Sequence, residues 1–245
     1  MERAEQRATS DAVPLVAGPT IDAPLAAETG DVAHLGIWSR GAIRAVDLTI
    51  AILTLIVLSP FLLVIALAIR LTSPGPALLR QTRVGLHRTP FVMLKFRTMH
   101  WDNDDSAHRA FVRAELAGGE PQASEEPRLH KLGADPRVTP LGAHLRRLSV
   151  DELPQLINVV LGQMSLVGPR PALPWEVPLY EPWHYVRFEA KPGITGLWQV
   201  SGRSHLSMRD ALALDADYVA HRSLGLDLTI IVRTVPKVLS RRGAY

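Results

Sequence analysis

The 245-residue chain contains no cysteine. That absence excludes disulfide scaffolds, thiolate nucleophiles and cysteine-ligated zinc or iron–sulfur centres, and it suits a catalytic part facing a reducing cytosol. The nine histidines include no HExxH motif and no pair at helical spacing, so they offer no zinc site. Neither a GxGxxG fingerprint nor a P-loop is present, which sets aside the nucleotide folds built on them. A strong charge imbalance is missing too. The 27 Lys+Arg and 24 Asp+Glu leave a net charge of +3, too mild to argue for a nucleic-acid partner. Internal repeats are absent. What the chain has is apolar content: 47% hydrophobic against 21% charged residues, enough for a packed core.

Charge is unevenly spread. Residues 1–34 hold six acids against two arginines, are rich in Ala, Pro and Thr, and show no apolar periodicity. Residues 1–37 therefore read as an acidic, disordered tail. Lacking a basic start and an apolar stretch, they do not fit a secretory signal.

From Leu48 to Ile69 no residue is charged. As a helix, this run is about 33 Å long, enough for a hydrocarbon layer of about 30 Å. A single crossing is one reading. Ser59-Pro60 near the middle supports another, because proline removes a backbone hydrogen bond and bends a helix. Arginines flank both ends: Arg40 and Arg44 before, Arg70, Arg80, Arg83 and Arg88 after. Positive flanks prefer the cytoplasmic face, so the segment could enter and return on one side. The amphipathic stretch Leu224–Arg242 suits either a membrane surface or ordinary core packing.

Ser73-Pro74-Gly75-Pro76 ends the apolar segment as a turn. Ala77–Thr82 and Phe91–Phe96 predict two short strands around Gly85. Residues 101–130 are polar and aperiodic, predicting a loop. Thr139-Pro140 predicts a capped helix to about Leu148. Residues from about Val150 to Leu161 predict a second helix, closed by Gly162. Ser207 with Asp210 predicts a capping box for a helix to about Ala220. The body is α/β and mostly helical.

Three constellations could carry chemistry. In Ser149-Val150-Asp151-Glu152, Ser-x-x-Glu is a capping box, and acids suit a helix start. The same two carboxylates could supply an ionised nucleophile and a Mg²⁺ ligand. Arginines on separate loops, Arg97, Arg146, Arg147, Arg170 and Arg203, offer forks to phosphate or a solvated basic face. The loop Pro192–Val200 presents Trp198 and Gln199 to a ring or base, or simply buries the tryptophan.

The strings PGPALLRQTRVG, FVMLKFRTM, LRRLSVDELPQLINVVLGQMSLVGPRP and PGITGLWQVSGR resemble the bacterial sugar transferase family, the monotopic phosphoglycosyl transferases, over about residues 38–245. The resemblance implies transfer of a sugar-1-phosphate from a UDP-sugar to undecaprenyl phosphate, with release of UMP. That is the first membrane step of exopolysaccharide, O-antigen or capsule assembly. It further implies a re-entrant membrane helix over 38–72, bent at Ser59-Pro60, among inner-membrane lipids. Residues 73–245 would form a catalytic domain on the cytoplasmic face. Asp151 would be the nucleophile and Glu152 a Mg²⁺ ligand beside it. Lys95, Arg97, Arg146, Arg170, Arg203, Gln199 and Asp227 would serve the substrates.

Two displacements are then expected: Asp151 attacks the donor's β-phosphorus, and the lipid phosphate resolves the ester. UDP-glucose or UDP-galactose is the expected donor, and a homodimer stays open. The rivals are a membrane-tethered glycosyltransferase releasing UDP and a non-catalytic lipid-binding scaffold.

Overall fold

The computed structural model describes residues 35–100, 106–116, 137–202 and 206–239. Residues 1–34 of the acidic tail, residues 117–136 and Arg203 lie outside the described residues. The chain order is α1 (Ile37–Thr72), β1 (Leu78–Val84), β2 (Pro90–Phe96), α2 (Ser106–Leu116), α3 (Pro140–Arg147), α4 (Gln155–Val160), β3 (Ser165–Val167), β4 (Gly193–Thr195), α5 (Leu197–Ser201), α6 (Met208–His221) and α7 (Leu224–Leu239). Helix dominates. Among the described residues, the strands form an antiparallel β1–β2 hairpin and a short parallel β3–β4 pair.

α1 is long and apolar enough to cross a membrane by length and composition, and only a small share of its apolar window is buried. It continues as helix on both sides of Pro60. Proline has no N–H for the Ile56 carbonyl four residues back. The Ser59 hydroxyl donates to that carbonyl at 2.9 Å instead. A serine beside the proline thus satisfies a group that lipid could not.

The two ends of α1 dock on the same body. Near its start, Arg44 donates to the Val159 and Val160 carbonyls at 2.7 and 3.0 Å, at the C-terminal end of α4. One turn on, Asp47 accepts from Ser165 Oγ at 2.7 Å and from the Leu166 N–H at 2.9 Å. Ala51 enters the main core with Met93, Val159, Met164, Val167, Tyr218 and Ile230. Near its end, Ile65 and Ile69 pack with Phe96 and Leu145 in a second cluster. Between these anchors, Ile52, Leu53, Ile56, Val57, Phe61, Leu63 and Val64 are exposed.

The expected hairpin is present, with Leu79, Gln81 and Arg83 opposite Lys95, Met93 and Phe91. The Thr139 cap accepts from the Gly142 N–H at 3.0 Å, and the Ser207–Asp210 box closes both ways. Ser106–Leu116 is helical where a loop was expected. Its polar sequence lacks an apolar stripe, and packing against α6 supplies what periodicity did not. α7 divides its faces: Ile230 and Asp227 are buried, while Leu228, Val232 and Val235 are exposed.

Candidate active site

Asp151 lies in a single 3₁₀ turn, Val150–Glu152, between α3 and α4. Ser149 does not cap that turn. It adopts a left-handed conformation (φ 54°, ψ 23°) and its side chain makes no cap hydrogen bond. Its N–H donates to the Arg146 carbonyl at 2.9 Å, closing α3 from behind. The capping-box reading of Ser149 and Glu152 is therefore corrected: the serine ends one helix instead of starting the next. The two acids are presented on a tight turn that owes them no capping role.

Asp151 is 8% exposed, and Glu152 is exposed. Burial raises the Asp151 pKa above the usual carboxylate range, opposed by the positive charges of Lys95 and Arg146. Lys95 projects from β2 and is pushed down to about 8 by burial and by the neighbouring Arg83. Arg83, on β1, is lowered to about 9 by burial and by Arg170. Arg146 on α3 donates to Thr98 Oγ1 at 2.8 Å. Lys95 and Arg146 thus face Asp151, Lys95 and Arg83 face Glu152, and Arg170 sits beside Arg83.

Their partners separate holders from the held. Arg83 donates to the Pro171 carbonyl at 2.9 Å and to Gln81 Oε1 at 2.7 Å. The Asp151 carboxylate meets its own backbone N–H, and the side chains of Lys95 and Arg170 have no hydrogen-bond partner among the described residues. The Lys95 ammonium facing Asp151, with the Arg170 guanidinium next to Arg83, forms a receptor for something polar and anionic.

Other expected site residues lie elsewhere. Arg97 is buried, and its guanidinium donates to the Ser73 carbonyl at 2.8 Å and to the Pro74 carbonyl. It ties down the turn after α1. Gln199 donates to the Ile194 carbonyl at 3.3 Å and sits against Gly196, so it packs within its own loop. Asp227 accepts from Tyr218 Oη at 2.7 Å, and burial pushes its pKa up to about 6. Its charged neighbours are Arg222 and Asp47, not the cations around Asp151.

Sequence reading took Arg83 only as a membrane flank and missed Glu176 and Tyr180. Glu176 is 2% exposed and accepts from the Leu173 N–H at 2.9 Å. For Arg83 a signal existed. Leu79-x-Gln81-x-Arg83 and Phe91-x-Met93-x-Lys95 alternate, which puts both charges on the inward face of the hairpin.

Mg²⁺ takes oxygen ligands and commonly binds through one or two carboxylates completed by water and substrate phosphate. No cluster of three or more His, Asp or Glu able to hold a metal occurs among the described residues. Asp151 and Glu152 fit the sparse kind of site. Glu152 is the exposed carboxylate, and Asp151 faces Lys95 and Arg146.

Similarity to known proteins supplies the class, that of a sugar transferase. Residues 38–241 match the family model described as bacterial sugar transferase, and the chain belongs to that family. It is 42% identical over 219 residues to the exopolysaccharide production protein ExoY of Sinorhizobium fredii, covering 89% of this chain and 93% of that protein. It is 43% identical over 210 residues to the UDP-glucose:undecaprenyl-phosphate glucose-1-phosphate transferase of Caulobacter vibrioides, covering 82% and 71%. The undecaprenyl-phosphate galactose phosphotransferase of Salmonella typhimurium is 41% identical over 209 residues; the match covers 84% of this chain and 42% of that longer protein.

Proposed function

We propose that this protein moves a hexose-1-phosphate from a UDP-sugar to undecaprenyl phosphate, releasing UMP. The names of the Caulobacter and Salmonella relatives support a glucose or galactose donor. The observation that carries the reading is the buried Asp151 carboxylate facing the positive charges of Lys95 and Arg146.

In the first step an Asp151 carboxylate oxygen attacks the donor's β-phosphorus. The bond from that phosphorus to the bridging oxygen breaks, and the oxygen leaves with UMP. In the second step a phosphate oxygen of undecaprenyl phosphate attacks the same phosphorus, and Asp151 leaves as carboxylate. No proton need be exchanged. Lys95, Arg146 and Arg170 would spread the charge of the transferring phosphoryl group. Glu152 would hold Mg²⁺, which would supply further charge neutralisation at the diphosphate.

The acceptor phosphate sits at a bilayer surface, so the nucleophile must be held there. We take α1 to be re-entrant, with both its ends and the catalytic body on the cytoplasmic side of the inner membrane. Support comes from the docking of α1: Arg44 and Asp47 at one end, Ile65 and Ile69 at the other, all contact one body. A helix crossing the bilayer would place those ends on opposite faces.

The reaction is tested by incubating the enzyme with UDP-glucose or UDP-galactose and undecaprenyl phosphate. The expected nucleotide product is UMP; UDP would identify a glycosyltransferase, and no nucleotide would identify a scaffold.

A further inference from the structure

The loop Gly168–Leu173 carries Arg170, and its backbone is pinned at every residue. The Gly168 N–H donates to the Thr195 carbonyl, and the Pro169 and Ala172 carbonyls accept from Gly193 and Val84, each at 2.9 Å. Arg83 holds the Pro171 carbonyl and Glu176 the Leu173 N–H. At Arg170 the holder is a side chain from far along the sequence: Arg187 Nη2 donates to the Arg170 carbonyl at 2.6 Å. The same nitrogen meets Asp215 Oδ2 at 2.7 Å, and Arg187 Nη1 donates to Tyr180 Oη at 2.7 Å. The Arg170 N–H in turn turns its dipole toward the Asp215 carboxylate.

Arg187 and Asp215 are about as buried as ionic groups become, with side chains 5% and 3% exposed. Burying such a pair is costly, and apolar replacements are often as stable. Stability alone is thus a poor reason for it. The pair grips the main chain of Arg170, whose guanidinium has no hydrogen-bond partner among the described residues, at both its carbonyl and its N–H.

We propose that the Arg187–Asp215 pair, with Tyr180 as its third contact, is a positioning device that fixes the main chain of Arg170 and so aims its guanidinium at the donor's diphosphate. This rests on the reading of Arg170 as a phosphate ligand. Neither Arg187 nor Asp215 touches the reacting atoms. They act through Arg170, so a misplacement on the order of 1 Å should be enough to cost about 10²-fold in turnover.

The test is a double-mutant cycle in full-length, membrane-embedded enzyme, following UMP release with UDP-glucose or UDP-galactose, whichever turns over, and undecaprenyl phosphate. Asp215→Asn in the wild-type background should cost about 10- to 100-fold in kcat/KM for the UDP-sugar, with the KM for undecaprenyl phosphate unchanged. In an Arg170→Ala background the same change should have almost no further effect, because the residue it positions is gone. Tyr180→Phe removes the third contact to Arg187 and a long donation to Glu176 Oε2 at 3.4 Å; it should cost a few-fold and also fall silent in Arg170→Ala. If Asp215→Asn fails to fold, the Tyr180→Phe cycle decides. Independent, multiplying losses would overturn the positioning role while leaving Arg170 in the site. Full activity in Arg170→Ala itself would sink the phosphate-ligand reading on which the proposal rests.

Discussion

Four aspartates are buried among the described residues, and they fall into two kinds. Asp47, Asp215 and Asp227 are 5%, 2% and 4% exposed, and each accepts from a partner elsewhere in the chain: Ser165 and Leu166, Arg187, and Tyr218. Asp151, 8% exposed, accepts no side-chain hydrogen bond among the described residues and relies on Lys95 and Arg146 for charge balance. A buried carboxylate is normally satisfied, because leaving it bare is expensive. Asp47 and Asp227 tie elements of the fold together, and Asp215 grips Arg187 behind the Arg170 loop. The fourth is held bare in a positive field, as a nucleophile for an anionic substrate must be.

Removing the open carboxylate should separate activity from stability most sharply. Asp151→Asn should lower UMP release by at least about 10³-fold with thermal unfolding nearly unchanged, since no hydrogen-bonded partner is orphaned. Parallel losses of activity and folding would merge the two kinds of aspartate. The reverse is expected at Asp47. Asp47→Ala orphans the Ser165 hydroxyl and the Leu166 N–H, and should destabilise the protein by about 2 kcal/mol, read by thermal denaturation in detergent or nanodiscs. Any loss of turnover should follow the loss of folded enzyme.

The pH profile gives a smaller effect with a definite sign. Asp151, raised by burial, must ionise to attack, so the rate should climb with pH on the acid side. Lys95 loses its charge as pH rises through about 8, and the rate should then fall. The two limbs belong to the coupled group of Asp151, Lys95 and Arg146. Lys95→Arg keeps the charge and should move the alkaline limb upward; an unmoved limb would remove Lys95 from the field around Asp151. The smallest effect concerns the anchor. Ser59→Ala leaves the Ile56 carbonyl without its hydroxyl donor beside Pro60, and should lower stability by about 1 kcal/mol in nanodiscs.

Much of this was legible in the sequence where the deciding interaction is local. The hairpin followed from alternation around Gly85, and both the Thr139 cap and the Ser207–Asp210 box follow from neighbours three residues apart. Family motifs pointed to Asp151, Lys95 and Arg146, whose charges the fold sets near one another, and to Arg170, which it sets beside Arg83. What the sequence did not show was non-local or contested. Ser149 reads as the start of one helix, but the preceding helix claims its N–H. Arg97 carries a phosphate-like fork, but the carbonyls of Ser73 and Pro74 take it. Asp227 sits in a motif near the site in sequence pattern, yet α7 packs it against Tyr218. Only the assembled fold shows which charges are spent and which remain open.

The most direct measurement is made without the lipid acceptor. Enzyme given its UDP-sugar alone should release UMP in a burst of about one equivalent, and the peptide containing Asp151 should gain the mass of a hexose phosphate, a modification absent from Asp151→Asn. Enzyme that releases no UMP until undecaprenyl phosphate is added, and never carries that mass, would contradict the account. The lipid phosphate would then attack the donor directly, and the open carboxylate would serve a metal instead of phosphorus.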